Sequence, residues 1–374
     1  MPLFFKIKFI FNLFLTFHHN KIVVIQTYNI RIKKMINKNF LIVSIIILLP
    51  FFVRAQSIQK FAELGNFKLE NGQTIESCKI GYRTFGKLND KKSNAILFPT
   101  WFGGNTAGLI GLIGAGKIAD STKYFVIAVD ALGDGVSSSP SNSLLQPNEK
   151  FPQFNIRDMV NSQYAFVTKI LKLNHLFCIL GGSMGGMQTF QWVVSYPNFM
   201  DKAVSWVGSP KLTSYDLLLW NTELQVLSLG LKNNASEDMI MKSIADITDL
   251  NIETPEYHVV NIKPEDFYNK LKKYQINFSK NFNVYDWQSQ LKAIIAHNVS
   301  APFDNDMDKA AARVKAKVLS IVSLQDHMVN PHPAIEFAKL IHAQNIELNN
   351  NCGHLGPGCE IGKVERVVNE FLEK

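Results

Sequence analysis

The 374-residue sequence is poor in cysteine, with four, and it holds no C-x-x-C pair and no histidine cluster at metal-ligand spacing. Four cysteines cannot scaffold a body this size, and the missing spacings argue against a structural zinc site. Acidic residues are absent from residues 1–55, which carry eight Lys or Arg. The net charge of +8 therefore sits in that segment, and the rest of the chain balances 31 basic against 31 acidic residues. A neutral body gives no electrostatic case for gripping a phosphate backbone, so no nucleic-acid partner is expected. Internal repeats and low-complexity tracts are also missing. Long apolar runs are scarce: Phe40–Val53 is 14 residues and contains Pro50, short of the roughly 20 needed for a comfortable membrane span.

That run fits a different purpose. Met35-Ile-Asn-Lys38-Asn-Phe40 gives a short positive start, the apolar stretch follows, and Val53 and Ala55 precede a cleavage point between Ala55 and Gln56. This is the pattern of a secretory signal peptide over residues 35–55. The expectation is a periplasmic or secreted protein with no stable membrane association after cleavage; an uncleaved anchor is the competing reading. Residues 1–34 fit no processing pattern and read as an over-extended start upstream of Met35. Residues 1–55 are therefore set apart from the fold as a leader.

Beyond the leader the composition is ordinary for a globular chain, 47% apolar and 19% charged over the whole sequence. Asn71-Gly72, inside residues 65–86, signals a hairpin. Short apolar runs follow at Asn94–Phe102, Tyr124–Leu132, Leu176–Gly181, Lys202–Val207 and Val318–Leu324. Between several of them lie helical patterns such as Asp158–Leu171 and Met184–Tyr196. Alternation of this kind predicts an α/β fold, a mostly parallel sheet flanked by helices with the hairpin at one edge. The alternation stops over residues 212–315, where helices are expected at Tyr215–Leu231, Glu237–Asp249, Pro264–Phe278 and Tyr285–Asn298. This segment reads as a helical lid inserted in a core of residues 56–211 and 316–374. The core closes with a helix over Ala334–Ala343, a strand near Ile346–Leu348 and a helix over Lys363–Glu373.

Gly181-Gly182-Ser183-Met184-Gly185 contains Gly-x-Ser-x-Gly between an apolar strand and a helix. A serine on so sharp a strand-to-helix turn needs small neighbours, and it presents its Oγ at a helix N-terminus that favours negative charge. That context is the nucleophile elbow of the α/β-hydrolase fold, in which the chain order is serine, acid, histidine. His354 sits in a loop after the predicted last strand, in Asn351-Cys352-Gly353-His354-Leu355-Gly356. Its rivals are His342, placed in a helix by the pattern, and His327 and His332, which flank the candidate acid too closely to oppose it. Asp326 lies just past the Val318–Leu324 strand, where the acid belongs. The oxyanion hole is expected from the backbone N–H of Met184 and a second N–H in Pro99-Thr100-Trp101-Phe102-Gly103-Gly104, from Phe102 or Trp101, with Phe102 preferred. Cys352 and Cys359 bracket His354 and would either bond or stay free, whereas Cys178 reads as a buried small hydrophobe.

Asn155-Ile-Arg157-Asp158-Met159-Val160-Asn-Ser-Gln163 and Gly181-Gly-Ser183-Met-Gly-Gly-Met187-Gln188, with Tyr196-Pro197 after the elbow helix, resemble the homoserine O-acetyltransferases of the α/β-hydrolase superfamily. The resemblance implies a helical lid, a Ser/Asp/His triad and acyl transfer through an acyl-enzyme, with no metal and no bound cofactor. Members of that family usually carry Asp directly after the catalytic His, and here the position is Leu355. The lid Arg expected to hold a homoserine carboxylate has no counterpart, because no Arg occurs from Tyr215 to Asp308. Export would also remove the protein from cytosolic acetyl-CoA. Water then becomes the expected acceptor, and the expected reaction is hydrolysis of a carboxylic ester or an amide. An acyl-CoA-dependent O-acyltransferase is the alternative, and a binding protein that kept the fold without its chemistry is a third. A fluorophosphonate would mark Ser183 in the first two only, and thiol release from acetyl-CoA would mark only the second. The partner is a small-molecule ester or acyl donor. Tyr215, Trp220, Tyr257 and Trp287 are candidates to line its pocket, and the oligomeric state stays open, a homodimer among the options.

Overall fold

The computed structural model describes residues 58–374; the signal-peptide reading over 35–55, the cleavage after Ala55 and the upstream segment lie outside the described residues. Strands β1 (Lys60–Lys68) and β2 (Thr74–Phe85) form an antiparallel hairpin around Asn71-Gly72. Gly72 takes φ +86°, a region that side chains avoid, and its N–H donates to Leu69 O at 3.0 Å to close the turn.

The remaining strands are β3 (Ala95–Pro99), β4 (Phe125–Val129), β5 (Leu176–Gly182), β6 (Met200–Trp206), β7 (Lys317–Ser323) and β8 (Gln344–Leu348). Together they make one eight-stranded sheet in the order β1-β2-β4-β3-β5-β6-β7-β8. Its two edge pairs, β1–β2 and β2–β4, are antiparallel, and every pair from β4 to β8 is parallel. The chain order reverses beside β3, whose neighbours are β4 on one side and β5 on the other. Such a switch point opens a crevice beyond the carboxyl ends of the strands.

Helix α1 (Ile156–Ala165) starts with a reciprocal cap: Asn155 accepts the Asp158 N–H, and the Asp158 carboxylate accepts the Asn155 N–H. It runs into a π-helical turn at Phe166–Ile170, so the predicted helix to Leu171 changes form partway. Helix α2 (Met184–Ser195) follows β5 directly. Between β6 and β7 come α3 (Ser214–Lys232), α4 (Glu237–Ile252), α5 (Pro255–Asn261), α6 (Phe267–Asn281) and α7 (Val284–Ile295). The seven residues of α5 are too few to show a helical period, although Thr254 caps them and Pro255 opens them. Helix α8 (His332–Leu340) follows β7, and α9 (Ile361–Glu373) comes after β8. The expectation for His342 fails, since it lies past the end of α8 at φ +51°.

Strand β3 is buried throughout, and its residues alternate between two cores. Ala95 and Leu97 join Met159, Phe190 and Phe337, while Ile96 and Phe98 join Leu109, Val368 and Phe371. Burying each large apolar side chain this way contributes about 1.5–3 kcal/mol. Both faces of the sheet are therefore covered, as a parallel sheet requires. Among the described residues no helix is long and apolar enough to cross a membrane.

Candidate active site

Ser183 is the single residue between β5 and α2. Its backbone sits at φ 55°, ψ −123°, a strained conformation for a residue with a side chain. The turn is this tight because its flanks touch. A Cβ on Gly181 would lie 2.4 Å from the Gly185 carbonyl, and one on Gly185 would lie 2.7 Å from Pro99 O. The Ser183 N–H donates to Trp206 O at 2.9 Å, which ties the elbow to β6. Its Oγ stands at the start of α2, where the first N–H groups have no intrahelical acceptor.

His354 reaches this serine from the loop after β8. Its Nε2 lies 2.9 Å from Ser183 Oγ, and its Nδ1 lies 2.7 Å from Asp326 Oδ2. The other Asp326 oxygen accepts the N–H groups of Met328 and Val329 at 2.8 and 2.9 Å, so the carboxylate is locked on the loop after β7. A carboxylate facing Nδ1 holds the proton there and leaves Nε2 to accept from the serine hydroxyl. Asp326 and His354 are buried. The structure thus joins three residues separated in sequence by 171 and 28 positions. Among the described residues no other late histidine is hydrogen-bonded to Ser183.

The loop carrying His354 is braced. Cys352 and Cys359 form a disulfide with Cα atoms 6.6 Å apart, while Cys78 and Cys178 are free and buried. Gly353 takes φ +62°, and a Cβ there would lie 2.9 Å from Ile252 O at the end of α4. Next to that contact, Thr254 Oγ1 donates to Asn351 O at 2.6 Å.

The loop after β3 spends most of its backbone donors. Thr100 N–H goes to Val129 O, Gly104 N–H to Trp101 O, and Gly103 N–H to Gln290 Oε1. The N–H groups of Trp101 and Phe102, the two candidates for the second oxyanion donor, have no acceptor among the described residues. The Phe102 ring sits between Trp287, at 4.0 Å between centroids, and Trp220, edge-on at 5.8 Å. The buried Trp220 N–H has no partner among the described residues, while Tyr215 is 45% exposed. Behind this wall Glu223 is buried on α3, accepting from Trp287 Nε1 and Thr248 Oγ1, each at 3.2 Å. Burial pushes its carboxyl up to about 7, against the opposite pull of those two hydrogen bonds.

One group of potential metal ligands occurs among the described residues: Asp249, Glu253 and His258, with ligand atoms within 4.8 Å of one another. Lys270 Nζ already lies 3.4 Å from Asp249 and 4.0 Å from Glu253, so an internal cation serves this cluster. Sequence reasoning missed the polar residues around the site. Gln163 and Gln188 stood inside quoted motifs without a role, and nothing local marked Asp216, whose Oδ1 accepts the Asn330 N–H at 2.8 Å, or Gln290.

The alpha/beta hydrolase fold family model matches residues 96–357. The chain belongs to that family. It is an α/β-hydrolase enzyme, and it resembles the homoserine O-acetyltransferases within the superfamily. It is 33% identical to a probable esterase of Corynebacterium glutamicum, over 52% of this chain and 57% of that protein, so it spans little more than half of that relative. It is 28% identical to an ethyl acetate hydrolase of Pseudomonas veronii, over 78% of this chain and 88% of the relative. A homoserine O-acetyltransferase of Methanosphaerula palustris is 27% identical, over 82% of this chain and 71% of its own. Among solved structures, an acetylester hydrolase from Corynebacterium glutamicum superposes with a TM-score of 0.77 at 25% identity, covering 86% of this chain and 97% of its own.

Proposed function

We propose that this enzyme hydrolyses short-chain carboxylic esters through an acyl-enzyme on Ser183. The observation that carries the reading is the continuous hydrogen-bonded line from Ser183 Oγ through His354 to Asp326, set at the start of α2. As Oγ attacks the ester carbonyl, its proton passes to His354 Nε2, and Asp326 steadies the imidazolium. The carbonyl oxygen becomes an oxyanion, which accepts from Met184 N–H and from Phe102 or Trp101 N–H. The tetrahedral intermediate collapses, and the leaving alkoxide takes the proton from His354. Water then gives a proton to His354 and adds to the acyl carbon. The second collapse releases the carboxylic acid and returns the proton to Ser183.

Water is favoured over an amino-acid alcohol as acceptor by the residue beside the base. Leu355 is 42% exposed and offers no charge to an ammonium group. The esterase names of two relatives and of the superposed structure support the same choice, and the words acetylester and ethyl acetate in them support a short acyl group. Acyl transfer to an alcohol is the second reading, favoured by the homoserine O-acetyltransferase relative. An oxidising compartment, periplasmic or extracellular, is part of the proposal and is supported by the Cys352–Cys359 disulfide. Expression from Met35 should yield a mature N-terminus at Gln56, and N-terminal sequencing that finds Met35 retained would count against export.

The deciding experiment is Ser183→Ala. Turnover of p-nitrophenyl acetate should fall by about 10⁴–10⁶ in kcat, and fluorophosphonate labelling should vanish. Retention of a substantial part of either would refute the acyl-enzyme.

A further inference from the structure

Two glutamines hold the donor loop from opposite sides. On the core side, Gln188 of α2 donates to Thr100 O at 3.0 Å and to Met184 O at 3.1 Å, and its own Oε1 accepts from Gln163 Nε2 at 2.6 Å. On the insertion side, the buried Gln290 of α7 accepts the Gly103 N–H at 2.9 Å and donates to Leu132 O at 3.0 Å. Between the anchors lie only Trp101 and Phe102. One helical turn before Gln290, Trp287 packs on the Phe102 ring and stands 2.8 Å from where a Gly103 Cβ would be.

Gly103 lies in a turn closed by Gly104 N–H to Trp101 O, and its φ is +66°. Turns of this class differ from one another by a flip of the central peptide, which reverses the direction of the third residue's N–H. Glycine places no steric barrier on either form. An acceptor fixed on that N–H selects one of them and so pins the peptide that follows Phe102; the Trp101 and Phe102 N–H groups, on the preceding peptides, are held through this anchor rather than turned by the flip itself. Gln290 is such an acceptor, because both ends of its amide are engaged and rotation would break two bonds.

We propose that Gln290 is a positioning residue through which α7 sets the second oxyanion donor, Trp101 or Phe102, at the Ser183 site. This inference rests on the acyl-enzyme reading. Its effect falls on the transition state, since the donor must meet the carbonyl oxygen as that oxygen becomes charged.

Gln290→Met keeps the length and removes both hydrogen bonds. The kcat for p-nitrophenyl acetate should fall about 10- to 100-fold, with KM changing by less than about threefold. Affinity for a trifluoromethyl ketone, whose adduct on Ser183 carries a tetrahedral oxyanion, should fall by the same factor as kcat/KM. Gln290→Glu separates position from packing. When protonated, its carboxyl accepts from Gly103 and donates to Leu132 O as the amide does; when ionised, it turns a lone pair on the Leu132 carbonyl. Its activity should approach that of the unmodified enzyme at low pH and drop away from it as pH rises. The inference is overturned if Gln290→Met keeps kcat within about twofold or loses activity through KM alone. It is equally overturned if Gln290→Glu tracks the Met variant at every pH, and this comparison decides alone should Gln290→Met not fold. A dead Ser183→Ala beside an unaffected Gln290→Met removes this inference only, whereas an active Ser183→Ala removes the acyl-enzyme reading beneath it.

Discussion

Replacing Glu223 by glutamine should stabilise the protein above neutral pH, although the wild-type carboxylate accepts two hydrogen bonds. Glu223 is fully buried among Trp287, Thr248 and the rings of the insertion, and burial lifts its carboxyl from 4.5 to about 7. The folded protein therefore keeps a proton that the unfolded chain has already lost between those two values. Stability from this group is fully present below 4.5, falls as pH rises toward about 7, and stays low beyond it. At ~1.4 kcal/mol per pH unit, the gap sets an upper bound of roughly 3–4 kcal/mol on the loss. Glutamine reproduces the protonated acid. Its Oε1 accepts from Trp287 Nε1, and its Nε2 donates to Thr248 Oγ1, whose single hydrogen then turns from the residue-223 side chain to Ile244 O at 3.0 Å. Urea unfolding of both proteins at pH 5 and pH 8.5 reads the effect. The variant should gain on the wild type by about 1–3 kcal/mol between the two conditions; groups common to both proteins cancel in that difference. An unchanged difference, or one of opposite sign, would refute the account of Glu223 as a carboxyl that the insertion holds neutral.

Two further outcomes test the His354 loop. Joint replacement of Cys352 and Cys359 by serine opens a short closed loop and should cost at most about 2–3 kcal/mol on chain-entropy grounds. Because the loop carries His354, kcat should fall as well, and thermal unfolding with ester turnover, with and without reductant, would show whether the brace matters. At Leu355 the enzyme should hydrolyse p-nitrophenyl acetate faster than it releases CoA from acetyl-CoA in the presence of homoserine. Leu355→Asp should narrow that gap, since a charge-assisted bond to an ammonium is worth about 1.5–3 kcal/mol; faster homoserine-dependent CoA release by the unmodified enzyme would overturn the preference for water.

What could be read from the sequence was local. Gly181, Ser183 and Gly185 announced the elbow because a strained turn demands small neighbours within two residues. Asn71-Gly72 announced the hairpin for the same kind of reason, and period-2 and period-3.6 patterns gave most strands and helices. Asp326 and His354 followed from chain order, which stands in for geometry in this fold. What stayed hidden was a short helix without a readable period, α5, and the choice between Trp101 and Phe102. The two N–H groups are adjacent in sequence, and only the partners of Thr100, Gly103 and Gly104 show that both are unclaimed. The state of Cys352 and Cys359 was hidden too, because spacing alone does not say how a Gly- and Pro-rich loop folds back.

The insertion between β6 and β7 explains why the supporting residues were the hardest to see. It contributes a polar contact to each loop that the site depends on. Asp216 of α3 accepts Asn330 N–H, four residues past Asp326, across 114 positions of sequence. Thr254, before α5, donates to Asn351 O in the His354 loop across 97 positions. Gln290 of α7 accepts Gly103 N–H beside the donor loop across 187 positions. Hydrogen bonds from one packed insertion to three separate loops couple the positions of those loops, which no bond within a single loop can do. Each is worth only about 1 kcal/mol to stability. Displacement of a reacting group by 1 Å, by contrast, can cost about a hundredfold in rate. These polar residues are therefore expected to matter more for turnover than for folding. Asp216→Asn and Thr254→Val should accordingly resemble Gln290→Met, each lowering kcat more than it lowers thermal stability. Losses in kcat that merely follow unfolding would show that the insertion covers the site without aligning it.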